Sequence, residues 1–226
     1  MLLLLLLLCP LAAPLHIVVA GGTGPLSALL LPSLSSHSVT VLCRNAFLAS
    51  APSRASGDFG HLGAPFLARN AHVALRDWDG GDLLDIVGQD WVGWQDVLGE
   101  ADVLVNAVGG YTGQRLLAQR RLSEAVAAAE RVRMDDIRQI VVRPSERFLP
   151  FLSPAALDIK RGTLAECSKA ARTGADVTVV ALGRVVEDVY RDRCEGIEDG
   201  ICESDFVEMM VGLIERGESD LLSSPS

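Results

Sequence analysis

The segment His16-Ile17-Val18-Val19-Ala20-Gly21-Gly22-Thr23-Gly24-Pro25-Leu26-Ser27 constrains the fold more than any other part of the chain. A short apolar strand runs directly into a glycine turn. A leucine-rich helical pattern follows at Leu26, Leu29, Leu30, Leu31 and Leu34. Strand, glycine turn and helix in that order make the opening βα unit of a dinucleotide-binding fold. Gly21 permits the tight turn, and Gly24 lets backbone approach a pyrophosphate. The helix N-terminus supplies free N–H groups and the positive end of a dipole. The position of a third glycine is taken by Ser27, small enough for the helix to pack close to the strand.

With 226 residues, 49% of them hydrophobic, the chain is sized for one core and is short for two. We expect a single domain over residues 15–216, a leader over 1–14 and a disordered tail over 217–226. The net charge of −9 argues against nucleic acid, whose phosphates it would repel.

Met1 to Leu8 is a leucine run followed by Cys9-Pro10-Leu11-Ala12-Ala13-Pro14. It is too short to span a bilayer but matches the apolar region of a signal peptide with small residues at its exit, although no Lys or Arg precedes it. Such a leader points to the secretory route, or to a plastid reached through that route. The alternatives are a misplaced gene start or a buried extension of the first strand, with a soluble intracellular protein. No later segment is long and apolar enough to be transmembrane. Cys9, Cys43, Cys167, Cys194 and Cys202 form no CxxC pair, and Cys194 could bridge Cys202 only in an oxidising compartment. The histidines lack metal-ligand spacing, so no metal is expected.

Further β-branched runs recur at residues 38–44, 72–75, 101–109, 139–142 and 175–182, as expected of strands buried on both faces of a parallel sheet. Between them, 113–133 and 160–172 read as helices rich in Ala, Leu, Glu and Arg. Alternating βα units imply an α/β, doubly wound parallel sheet. Residues 49–64 and 146–156, rich in Pro, Ser, Ala or Gly, read as loops.

Together these residues resemble the short-chain dehydrogenase/reductase superfamily, in its extended or atypical NAD(P)-binding, epimerase-like branch. The opening turn is similar to the family's Thr-Gly-x-x-Gly-x-x-Gly, with Ala20 in place of the threonine and Ser27 in place of the last glycine. Asn106-Ala107-Val108-Gly109 is similar to the family's Asn-x-Ala-Gly turn, and Asp77 stands where an aspartate meets the adenine amino group. Glu203-Ser204-Asp205-Phe206-Val207 resembles a recurring Asp-Val-Ala helix start, with Phe206 looking inserted. The likeness spans residues 15 to 215, with a reduced C-terminal lobe. It implies that Gly21, Thr23, Gly24, Pro25, Leu26, Asp77, Ala107, Val108, Gly109 and Lys160 bind a nicotinamide dinucleotide. The second strand ends in Arg44 rather than an acid, which suits the 2′-phosphate of NADP better than the 2′-hydroxyl of NAD.

Enzymes of this family work through Tyr-x-x-x-Lys and a serine, the phenol acting as general acid or base. Here Lys160-Arg161-Gly162-Thr163-Leu164-Ala165-Glu166 resembles the lysine helix of the atypical branch. Four residues before Lys160 stands Ala156, which cannot transfer a proton. Tyr111 and Ser145 are the residues left to pair with Lys160 as catalytic candidates. Tyr111 follows the Gly109-Gly110 turn and could reach the crevice, or could be a partly buried loop aromatic. Ser145 could hold the family serine position, or cap a turn after Pro144. Trp78, Trp91 and Trp94 precede the fourth strand, and Trp91 and Trp94 would share a helical face, for core packing or for a protein partner.

Three functions follow: a cofactor-binding protein with a redox-sensing or complex-supporting role and little turnover; an NADP-dependent reductase or epimerase using a displaced acid such as Tyr111; or an assembly protein without cofactor, its surface the tryptophans and the 146–156 loop.

Overall fold

The computed structural model describes residues 13–51, 62–78, 94–108, 113–144, 154–182, 184–186 and 200–216. Its elements in chain order are β1 (His16–Ala20), α1 (Pro25–Leu30), β2 (Ser38–Cys43), α2 (Ala46–Ala49), α3 (Ala64–Arg69), β3 (Val73–Asp77), β4 (Val103–Asn106), α4 (Gly113–Arg133), β5 (Arg138–Pro144), α5 (Pro154–Arg172), β6 (Val177–Leu182), β7 (Arg184–Val186), β8 (Gly200–Cys202) and α6 (Glu203–Arg216). Six strands form one sheet in the order β3-β2-β1-β4-β5-β6. Every neighbouring pair in it is parallel. A second, two-stranded parallel sheet joins β7 to β8, which the sequence reading did not anticipate.

Both faces of the main sheet are covered, as parallel strands require. On one face Ile17, Val19, Val39, Val41, Val103, Val105 and Ile140 pack with Leu30, Leu31 and Leu34 and with Phe206, Met210, Leu213 and Ile214 of α6. On the other, Val18, Ala20, Leu42 and Leu104 pack with Ala118, Leu122 and Val126 of α4 and with Trp78, Trp94 and Leu98. Successive side chains of β1 thus enter opposite cores, which is why its apolar run is unbroken. Phe206, which looked inserted, is a fully buried core residue of α6.

Several boundaries differ from the sequence reading for identifiable reasons. The first helical pattern is cut after Leu30 and continues as a 3-10 turn over Leu31–Leu34. Pro32 has no N–H to sustain α-helical bonding. The helix carrying Lys160 begins at Pro154, not at residue 160. Pro154–Ala156, read as loop, therefore form its first turn, where proline is tolerated because its missing N–H would have no partner. The third strand reaches Asp77, its last residue. Ala49 and Ala64 bound a stretch read as loop, yet Ala49 closes α2 and Ala64 opens α3.

The tryptophans pack differently from the expected pair. Trp94 meets Trp78, with ring centroids 5.7 Å apart and planes tilted by 55°, and both are buried. Trp91 lies outside the described residues. Core packing explains both visible rings. Cys202 is buried, and Cys194, with which it could bridge in an oxidising compartment, lies outside the described residues. Among the described residues no helix is long and apolar enough to cross a membrane.

Candidate functional site

The strand order reverses between β1 and β4, and open α/β sheets take ligands in the crevice outside the C-terminal strand ends at such a reversal. Three chain segments line it: the turn after β1, the turn after β4, and the β2–α2 connection.

The turn after β1 is fixed by close backbone packing. Gly21 has φ +73°, a left-handed conformation that glycine adopts without penalty. A Cβ built there would stand 2.7 Å from the Val108 Cα and 2.8 Å from the Val108 nitrogen. The turn after β4 therefore sits where a side chain would have been. Ala107 N–H donates to Ala20 O at 2.9 Å, tying the turn after β4 to the end of β1, while Gly21 N–H donates to Leu42 O of β2 at 3.3 Å. Asn106 sets the second turn. Its Oδ1 accepts from Val108 N–H at 3.1 Å while its Nδ2 donates to buried Gln119 Oε1 at 2.6 Å.

Gly24 behaves differently. It is the N-cap of α1 with φ −81°, and a Cβ there would meet only Gly21 O, at 3.8 Å. Packing within the protein does not require glycine at 24. No side chain caps α1. The first-turn N–H groups of Leu26 and Ser27 thus lack acceptors within the helix. Pro25 occupies N1 and Ser27 is buried against the sheet, as its small size permits. Thr23 and Leu26 are half-buried in the same turn.

The β2–α2 connection carries Arg44, exposed at the C-terminal end of β2. Asp77 stands beside it, in register with Cys43 on the neighbouring strand. Its Oδ1 accepts from Ala46 N–H at 2.6 Å, and Asn45 Oδ1 accepts from Leu48 N–H at 2.8 Å, so α2 is capped twice. Asp77 thus has a structural task that sequence reasoning did not foresee. Burial, with the Asp77 charge as the smaller cause, pushes the Cys43 thiol up to about 11.

The catalytic candidates are less completely placed. Tyr111, Ser145 and Gly109 lie outside the described residues, and for Lys160 only the backbone is described. Ala156 and Lys160 stand one turn apart on α5, which puts them on one face of that helix. Among the described residues no cluster of three or more His, Cys, Asp or Glu is arranged to hold a metal ion.

No protein-family model matches the sequence, and no curated protein matches it. Solved structures do. A Bacillus halodurans protein named for the NAD-dependent epimerase/dehydratases matches with TM-score 0.56 at 16% identity, covering 89% of this chain and 88% of that one. The FolM alternative dihydrofolate reductase 1 of Brucella canis, complexed with NADP, matches with TM-score 0.55 at 15% identity over 91% and 89%. The chain shares its doubly wound, all-parallel Rossmann fold with these structures. NmrA, described as a negative transcriptional regulator in complex with NADP, shares it with TM-score 0.52 at 14% identity, over 76% of this chain and 46% of that one.

Proposed function

We propose that this short-chain dehydrogenase/reductase-fold protein binds a nicotinamide dinucleotide, NADP in preference to NAD, and uses it for sensing redox state or supporting a complex rather than for turnover. The observation that carries the reading is the contrast between two glycines of one turn. Gly21 is glycine because Val108 occupies its side-chain space, whereas a side chain at Gly24 would meet only Gly21 O, which leaves the room that a cradle for a pyrophosphate needs. Gly21, Thr23, Gly24, Pro25 and Leu26 would hold the pyrophosphate, and Ala107 and Val108 the middle of the cofactor. Lys160 would reach the nicotinamide ribose. Arg44, exposed at the end of β2, would take the 2′-phosphate through its fork of donors.

When bound, the nicotinamide supplies or accepts a hydride. The protein's side of such a reaction needs an acid or base at the carbonyl oxygen, and Ala156 offers none one turn before Lys160. NmrA, a regulator in complex with NADP, gives a precedent in this fold for a cofactor outside an enzyme's name.

The test couples stability to turnover. Saturating NADPH should raise the unfolding temperature by mass action, while NADPH consumption stays at background across a panel of aldehydes and ketones. Turnover that disappears in Tyr111→Phe would establish the active-reductase reading instead.

A further inference from the structure

Among the described residues three large apolar side chains are strongly exposed: Phe47 at 80%, Val132 at 84% and Met134 at 88%. Val132 and Met134 stand at the C-terminal end of α4, where Arg133 Nη1 donates to Ala101 O just before β4, at the far end of the sheet from the crevice. Phe47 is at the crevice end. It follows Arg44 by three residues, on the helix that Asp77 ties to the end of β3.

The helix beneath Phe47 is held from several sides. Asn45 and Asp77 satisfy two of its first-turn N–H groups. Ser50 N–H donates to Ala46 O at 3.0 Å, and Ser50 Oγ donates to Phe47 O at 2.9 Å. Ala49 is buried and Ala46 packs against the same core, so the inner face of α2 is anchored while Phe47 points away from it. A rigid backbone that presents a phenyl ring to water forgoes the gain of burying it. Asp77, meanwhile, has given one carboxylate oxygen to the helix.

Resting on the dinucleotide reading above, we infer that Phe47 is an adenine-stacking residue, its ring forming one wall of the site for the adenosine half of the cofactor beside the Arg44 guanidinium. In doubly wound folds the first βαβ unit takes the adenosine half, with the groups that read the ribose 2′ position at the end of the second strand. Phe47 stands at that end on a fixed platform. A purine has a π-face that an aromatic ring accepts without needing hydrogen bonds, and a ring with few rotatable bonds on a fixed backbone loses little entropy on contact.

The experiment is calorimetric titration of wild type, Phe47→Ala, Phe47→Tyr and Arg44→Ala with NADPH and with adenosine 2′,5′-bisphosphate, which lacks the nicotinamide half. Phe47→Ala should lose about tenfold in affinity for both probes, by the same factor, with Phe47→Tyr close to wild type. Its unfolding temperature without ligand should not change, because the ring has little to pack against. Unchanged affinity in Phe47→Ala, with Arg44→Ala weakened, would overturn the stacking role and leave the cofactor reading standing. A loss confined to NADPH would also overturn it, placing the ring away from adenine. Failure of wild type to bind either probe would overturn both readings.

Discussion

Gly21 and Val108 share one small volume. The Val108 Cα and nitrogen occupy the place of a Gly21 side chain, 2.7 and 2.8 Å from where its Cβ would be. The contact joins the turn after β1 to the turn after β4, the two strands between which the sheet reverses its order. It fixes the floor of the crevice with backbone alone, and two substitutions in the same turn separate its structural part from its binding part.

Gly21→Ala should destabilise the fold by more than about 2 kcal/mol, since alanine at φ +73° is strained and its methyl group meets immovable backbone. Gly24→Ala should cost no more than about 0.5 kcal/mol, because φ is −81° there and the nearest atom is 3.8 Å away. Its NADPH affinity, however, should fall at least about tenfold as the methyl group enters the space for the pyrophosphate. Denaturant unfolding beside calorimetry measures both. Equal stability losses in the two variants would contradict the division of labour.

Asn106→Ala should cost about 2 to 3 kcal/mol, because it strips Val108 N–H of an acceptor and Gln119 Oε1 of a donor inside a buried network. The double variant Asn106→Ala, Gln119→Leu should lose less than the sum of the two single changes, as expected of coupled partners. A thermodynamic cycle from urea unfolding reads the coupling directly, and strict additivity would show that the network is not cooperative.

Met134 is a non-glycine residue at φ 65°, 88% exposed, directly after the last turn of α4, with its N–H donating to Glu130 O at 2.8 Å. That is a helix-terminating position that glycine fills best. Met134→Gly should stabilise the protein by about 0.5 to 1 kcal/mol, shifting the urea midpoint upward with the slope unchanged. A lower midpoint would refute the assignment of strain.

Cys43 and Cys167 are both buried, and burial pushes each thiol from 9.0 up to about 11. Both should resist alkylation in the native protein at pH 8 and react only on unfolding. The raised folded-state values also set a sign. The folded state holds these protons between pH 9 and 11 while the unfolded chain releases them, so their contribution is complete below pH 9 and is lost as pH rises through 11. Replacing both cysteines with alanine should flatten the stability profile across that window and leave its shape near neutrality alone.

Much of this fold is legible in the residues. Ile17, Val18 and Val19 announce a strand with two buried faces, and Val39, Val41, Val103 and Val105 repeat the signal. What escaped the sequence are events decided by a single proline or by distant contact. Pro32 converts the end of the first helix, and Pro154 starts a helix in a stretch that its composition marks as loop. The pairing of Gly21 with Val108 joins residues far apart in sequence, and nothing local to either encodes it. Phe47 was missed because an aromatic within four residues of an arginine is unremarkable until α2 is seen to hold it outward.

The crevice is proposed to bind NADP. Isothermal titration of the purified chain with NADPH and NADH, repeated for Arg44→Ala, tests it most directly. NADPH should bind saturably and one-to-one, NADH more weakly, and Arg44→Ala should lose about tenfold or more for NADPH with little change for NADH. Heat of dilution alone for both cofactors, with wild type folded by circular dichroism, would contradict it.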